Sequence, residues 1–91
     1  MLLLIEIDCA PGTIRPNHFY NLIIECMSQN SNQNIKEWSQ NVKNLEPDLK
    51  LIGNWTWNLE IESDIYQEVQ TIFKQQLTEF YNQGGIRYAS W

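Results

Sequence analysis

The sequence predicts a small α+β protein in which helices pack on one β-sheet. Between Leu49 and Ile61 the large apolar residues fall on odd positions, with Ile52 the only exception, which is the alternation of a strand with one buried face. Between Asp64 and Tyr81 apolar residues recur every three or four positions, the period of an amphipathic helix. Strands that alternate with helices form layered α/β or α+β sheets, and 91 residues are enough for one such domain, spanning 1–91.

The first half of the chain contains one predicted strand and two predicted helices. The strand over residues 2–9 is apolar on both faces at its start, so we place it centrally, covered on both sides or nearly so. A helix begins at Arg15-Pro16, since proline is favoured at the first helical position. Its predicted buried stripe consists of Phe19, Leu22, Ile23, Cys26 and Met27. A short second helix over 35–45 has Asn34 as its expected cap.

The second half contains the tryptophan-bearing strand, the long helix and a last short strand over 86–91. Asp64 is the expected cap of the long helix, and Gly84-Gly85 ends it, because glycine readily takes the left-handed conformation found just past a helix. The predicted order is therefore β-α-(short α)-β-α-β, with three strands in the sheet.

One alternative concerns the tryptophan-bearing strand. A hairpin turn at Gly53-Asn54 would divide it into two antiparallel strands and give a ferredoxin-like βαββαβ arrangement. We prefer the continuous strand, because the hairpin register mixes apolar and polar residues on each face of the sheet.

Composition and charge exclude several classes of function. The net charge is −5 and the six Lys and Arg residues are dispersed, so we expect no direct binding of nucleic acid. No stretch approaches the roughly 20 apolar residues of a membrane helix. The two cysteines, Cys9 and Cys26, are too few for a disulfide framework, and neither has metal-ligand spacing with His18. We therefore expect buried thiols, a cytoplasmic location, and no metal or cofactor.

Cys9 and Arg15 form a C-x5-R spacing between the first strand and the first helix. In this placement residues 9–15 resemble the phosphate loop of low-molecular-weight protein tyrosine phosphatases. The resemblance implies that Cys9 is a nucleophile and that Arg15 grips a phosphate at a helix start, where anions bind and the pKa of a thiol falls. The sequence departs from the family pattern at Pro11, which removes one loop amide, and at Pro16, where the family has a hydroxyl residue. A thiol phosphatase is therefore our alternative hypothesis.

The aromatic residues lead to the main hypothesis. Four Trp and four Tyr are more than so small a core is expected to hold, and both types are enriched at interfaces. We select Trp38, Tyr88 and Trp91 as candidate binding residues. The strand over 86–91 is predicted to lie at a sheet edge, where backbone groups stay open to another chain. We thus expect a non-enzymatic cytoplasmic interaction module, such as an adaptor, assembly factor or inhibitor, that binds a protein partner or itself through this edge.

Overall fold

The computed structural model describes residues 1–9, 15–51 and 54–90. Its strands are β1 (Leu2–Asp8), β2 (Asp48–Leu51), β3 (Asn54–Glu60) and β4 (Tyr88–Ser90), and its helices are α1 (Pro16–Met27), α2 (Gln33–Val42) and α3 (Ser63–Asn82). The strands form one antiparallel sheet in the order β2-β3-β1-β4, with β1 inside the sheet as predicted. The α+β class, with helices packed on one sheet, is confirmed.

The stretch from residue 48 to residue 60 forms two paired strands, which corrects the preferred expectation of one continuous strand. Asp48 stands opposite Thr56 and Leu49 opposite Trp55, with a register shift between Leu49 and Leu51. A shift of this kind is an irregularity of the β-bulge type, which alternation along the sequence does not reveal. The result is the βαββαβ alternative with α2 inserted before β2. Gly53, in the predicted turn, lies outside the described residues.

The helices cover one face of the sheet. Leu3, Ile5 and Ile7 of β1 join the helices in a single buried cluster. On the opposite face of β1, Leu2 is 71% exposed and Leu4 is 36% exposed. The expectation that β1 is covered on both sides is therefore wrong at its start, because no described helix lies over the second face.

Trp57 lies at the centre of the core. Trp55 and Trp57 stand opposite Ile7 and Ile5, so both face the helices, as the alternation predicts. Trp57 is 1% exposed and stacks on the ring of Tyr20, with centroids 4.7 Å apart and planes 5° from parallel. An offset aromatic pair of this kind adds about 0.5–1.5 kcal/mol beyond the area that it buries.

Polar atoms of core aromatic residues attach α2 and the segment after it to the rest of the fold. Three side chains each donate one hydrogen bond to a backbone carbonyl: Tyr20 Oη to Val42 at 2.8 Å, Trp57 Nε1 to Leu45 at 3.0 Å and Trp38 Nε1 to Glu60 at 2.9 Å. A buried indole or phenol requires such a partner, since an unpaired buried donor costs about 1–3 kcal/mol. These bonds explain why several of the large aromatic residues belong to the core.

The buried stripe of α1 differs from the predicted one. Leu22 and Cys26 are exposed, while Tyr20 and Ile24 are buried in their place. The stripe is rotated towards Tyr20 because that ring stacks on Trp57. The expectation of two buried thiols is consequently wrong for Cys26.

Helix starts agree with the sequence signals to within two residues, whereas α2 ends at Val42, three residues before its predicted end. The cap of α2 is Asn32, whose side chain accepts a hydrogen bond from the Asn34 amide at 2.9 Å, in place of the predicted Asn34. The N-cap of α3 is Glu62 instead of Asp64. Gly84 follows the end of α3 with a φ of 80°, the left-handed conformation that was expected there.

Candidate functional site

Strand β4 forms one edge of the sheet. In the part of the chain that the structure describes, β4 pairs only with β1, through Tyr88, Ala89 and Ser90. A strand sends its backbone donors and acceptors to both of its sides, so the outer side of β4 presents groups that a further strand can bind. This confirms that an edge strand lies within residues 86–91, although the strand is shorter than predicted.

A groove lies between this edge and the last turns of α3. It has a volume of about 280 Å³, and we call it the edge groove; its lining consists of Leu77, Thr78, Tyr81, Arg87, Tyr88 and Ala89. Leu77 is fully buried, whereas Tyr81 is 57% exposed and Tyr88 is 47% exposed. The edge groove thus lies next to an open strand edge, and its lining combines two exposed tyrosines with the apolar Leu77.

An ion pair holds β4 against β1. Arg87 Nε lies 2.8 Å from Asp8 Oδ2, Arg87 Nη2 lies 3.1 Å from Asp8 Oδ1, and the Arg87 amide donates to the Asp8 carbonyl at 2.8 Å. The hydrogen bonds that Arg87 donates to the Asp8 carboxylate, together with the negative charge of that carboxylate, raise the pKa of Arg87 above its ordinary value. A two-point contact of this kind fixes orientation as well as distance, so the pair positions the start of β4.

The three predicted binding residues have different positions. Tyr88 lines the edge groove. Trp38 is only 9% exposed and its indole nitrogen is bound to Glu60, so its contacts support the docking of α2. Trp91 lies outside the described residues. Tyr81 and Arg87 also line the groove but were not selected; the apolar spacing of Tyr81 from Leu77 along the helix was a usable signal, whereas nothing local in the sequence indicates that Arg87 contacts Asp8.

The surroundings of Cys9 do not favour a thiol nucleophile. Its side chain is partly buried, and burial together with the neighbouring Asp8 raises the pKa of the thiol, while Arg87 lowers it to a lesser degree. A catalytic thiol needs the opposite balance, since the thiolate is the reactive form. Arg15 is exposed at the N-cap of α1, and residues 10–14 of the expected phosphate loop lie outside the described residues.

Three further observations bear on the type of site. Within residues 1–9, 15–51 and 54–90, no three His, Cys, Asp or Glu side chains lie close enough together to hold a metal ion. No helix in these ranges has the length and apolarity required to cross a membrane. Searches of protein-family models, curated proteins and solved structures give no match to this chain.

Proposed function

We propose that this protein is a non-enzymatic interaction module that binds an extended segment of another protein through β4 and the edge groove. The juxtaposition that supports this proposal is an open strand edge directly beside two exposed tyrosines. Strand addition uses both features, because backbone hydrogen bonds give affinity and side-chain pockets give specificity. Tyrosine suits the role, since it offers a large apolar area with little conformational freedom to lose.

The expected partner is a different protein and not a second copy. The chain carries a net charge of −5, so two copies repel each other as they approach. A segment of another protein avoids this repulsion, and one apolar side chain of that segment fills the edge groove. The module then acts as an adaptor, assembly factor or inhibitor according to the protein that carries the segment.

We also propose a cytoplasmic location. Cys9 and Cys26 are both unpaired, and Cys26 is exposed. An exposed thiol persists most readily in a reducing compartment, where disulfides are rare.

Selection from a displayed library of random dodecapeptides tests the binding proposal. Peptides selected on the wild-type protein are measured against Tyr81→Ala and Tyr88→Ala. Leu22→Ala is the matched control, because Leu22 is also a large exposed side chain, 41% exposed, but lies on α1. All three variants are first checked for unchanged unfolding temperature.

The proposal predicts that selected peptides bind the wild type and Leu22→Ala equally and bind both tyrosine variants at least about tenfold more weakly, in the range usual for a hot-spot residue. It is contradicted if the library yields no specific binder, or if the tyrosine variants bind the selected peptides as well as the wild type does.

A further inference from the structure

Strand β1 has an open edge of its own, in line with the end of β4. It pairs with β3 from Leu2 to Asp8, whereas β4 pairs only with Glu6, Ile7 and Asp8. In the part of the chain that the structure describes, no strand lies beside Leu2–Ile5 on the β4 side. The sheet therefore has a gap at residues Leu2–Ile5, which we call the β1 notch.

Hydrogen bonds at the two ends of β1 show which backbone groups point into the notch. Just before the strand, Met1 and Ile61 exchange two hydrogen bonds of 2.8 Å, so odd-numbered residues direct their backbone groups towards β3. At the other end, the Asp8 carbonyl accepts from the Arg87 amide at 2.8 Å, so even-numbered residues direct theirs towards β4. Backbone direction alternates along a strand, so the even-numbered residues of the notch send their N–H and C=O groups into it.

The two residues concerned, Leu2 and Leu4, also have exposed side chains. Both side chains lie on the face of the sheet that no described helix covers, whereas Leu3 and Ile5 are buried on the helix side. Leu2 and Leu4 thus combine open backbone donors and acceptors with exposed apolar side chains. Strand addition uses this combination, because the backbone pairs with the incoming chain and the side chains select it.

The charge of the surrounding face indicates which kind of segment fits. Glu60 stands opposite Leu2, and Glu6 lies two residues after Leu4, so both carboxylates share the open face with the leucines. Glu60 is exposed, Glu6 is half-buried, and within residues 1–9, 15–51 and 54–90 neither takes part in an ion pair. A second copy of the chain brings the same two carboxylates and is repelled. A lysine or arginine of another protein instead lays its apolar stem on the leucines and its charge beside a carboxylate.

We infer that the β1 notch binds an extended segment of a partner protein that carries basic and apolar side chains on the face beside Leu2 and Leu4. The inference goes beyond the proposed function, which uses the outer side of β4, so either site can fail without the other. An added strand that keeps the antiparallel pattern of the sheet enters beside Leu4 and leaves beside Leu2. It occupies the same track as β4 and completes the pairing of β1.

Amide hydrogen exchange of the wild-type protein, followed by NMR, tests the open edge and its occupant. In the free protein the Leu4 amide should exchange at least about tenfold faster than the amides of Leu3 and Ile5, which are bound to β3. The peptide acetyl-Thr-Lys-Thr-Val-Thr-Lys-Thr-amide is then added to saturation, since it presents Lys, Val and Lys on one face. Exchange of the Leu4 amide should slow at least about tenfold, because a new backbone hydrogen bond protects it.

A second peptide, with Glu in place of both Lys, tests the charge. The wild type should bind the Lys peptide at least about two- to fivefold more tightly, the range usual for one exposed ion pair. The double variant Glu6→Gln/Glu60→Gln should lose most of this preference. The double variant Glu25→Gln/Glu68→Gln is the matched control, because it has the same net charge but changes exposed residues of α1 and α3, and it should keep the preference.

Four results would overturn the inference. They are slow exchange of the Leu4 amide in the free protein, absence of binding by the Lys peptide, an equal preference in the two double variants, and protection of the Tyr88 amide in place of Leu4. The last result would place the peptide on β4 and support the proposed function alone. Protection of Leu4 that rises with protein concentration without any peptide would identify a second copy as the occupant, which also contradicts the inference.

Discussion

Arg87 donates two hydrogen bonds to the carboxylate of Asp8, from Nε to Oδ2 at 2.8 Å and from Nη2 to Oδ1 at 3.1 Å. The two residues are 79 positions apart in the sequence. The Asp8 side chain is 13% exposed and the Arg87 side chain is 49% exposed. The pair joins the end of the first strand to the start of the last one, so it closes the sheet at the edge that we assign to binding.

The first prediction concerns the coupling of this pair. Asp8→Asn and Arg87→Ala should each lower the unfolding temperature, because each leaves a polar partner without its contact. The double variant should lose less than the sum of the two single losses, since the second substitution removes a group whose partner is already gone. Thermal unfolding of the four proteins followed by circular dichroism measures this.

Arg87→Lys serves as the control for that cycle. A lysine keeps the charge but offers no planar pair of donors, so it should recover only part of the lost stability. Strictly additive losses in the double variant would show that the two residues do not act together in solution.

The second prediction concerns pH. Burial raises the pKa of Tyr20 above its ordinary value of 10.0, and its hydroxyl donates to the Val42 carbonyl, which requires the protonated form. Above pH 10 the unfolded chain releases this proton while the folded protein retains it. The unfolded state then binds fewer protons, so the free energy of unfolding falls as pH rises, with a slope of up to about 1.4 kcal/mol per pH unit for one group.

Tyr20→Phe isolates this effect, because it removes the titrating hydroxyl and keeps the ring against Trp57. The free energy of unfolding of both proteins is measured by urea denaturation from about pH 8 to about pH 11, a range that brackets the ordinary pKa of a phenol. The wild type should lose stability more steeply than Tyr20→Phe above pH 10. Parallel curves would mean that the hydroxyl is not held protonated by the fold.

The third prediction concerns the helix side of the core. Phe73 is fully buried, so Phe73→Ala should reduce the free energy of unfolding by about 3–5 kcal/mol. Gln75→Ala, on the exposed side of the same helix, should change it by less than about 0.5 kcal/mol. Urea denaturation measures both, and a loss below about 1 kcal/mol for Phe73→Ala would show that α3 docks through another face.

The fourth prediction concerns catalysis by Cys9. Because burial and Asp8 raise the pKa of its thiol, little thiolate forms near neutral pH. Hydrolysis of p-nitrophenyl phosphate by the wild type should therefore equal that by Cys9→Ser and by Arg15→Ala. A rate that exceeds background in the wild type and disappears in both variants would revive the phosphatase hypothesis.

Local signals were sufficient to predict the helices. The spacing of Val69, Phe73 and Leu77 identified the buried face of α3, and the glycine pair identified its end near Gly84. The stripe of α1 was less well predicted, because Tyr20 is amphipathic and its burial depends on the ring of Trp57 from a distant strand. Periodicity along one helix carries no information about such a partner.

The division of the tryptophan-bearing stretch could not be chosen from alternation alone. A continuous strand and a hairpin both place Trp55 and Trp57 on one face of the sheet, so their alternation does not distinguish the two structures. The hairpin also has a register shift between Leu49 and Leu51, which alternation does not reveal.

The candidate site was also predicted only in part, because some of its contacts join segments that are distant in the sequence. Tyr88 and the edge strand follow from local pattern, whereas the groove requires the approach of Tyr81 across the turn, which only the folded chain shows.

Amide hydrogen exchange in β4 tests the central claim most directly. The outer side of the strand must be free before binding and paired after it. We predict that a saturating selected peptide slows exchange of at least one amide among Tyr88, Ala89 and Ser90 at least about tenfold, because a new backbone hydrogen bond protects it, while the amides of α1 and α2 are unchanged. Unchanged exchange throughout β4 in the presence of a peptide that binds the protein would contradict strand addition at this edge.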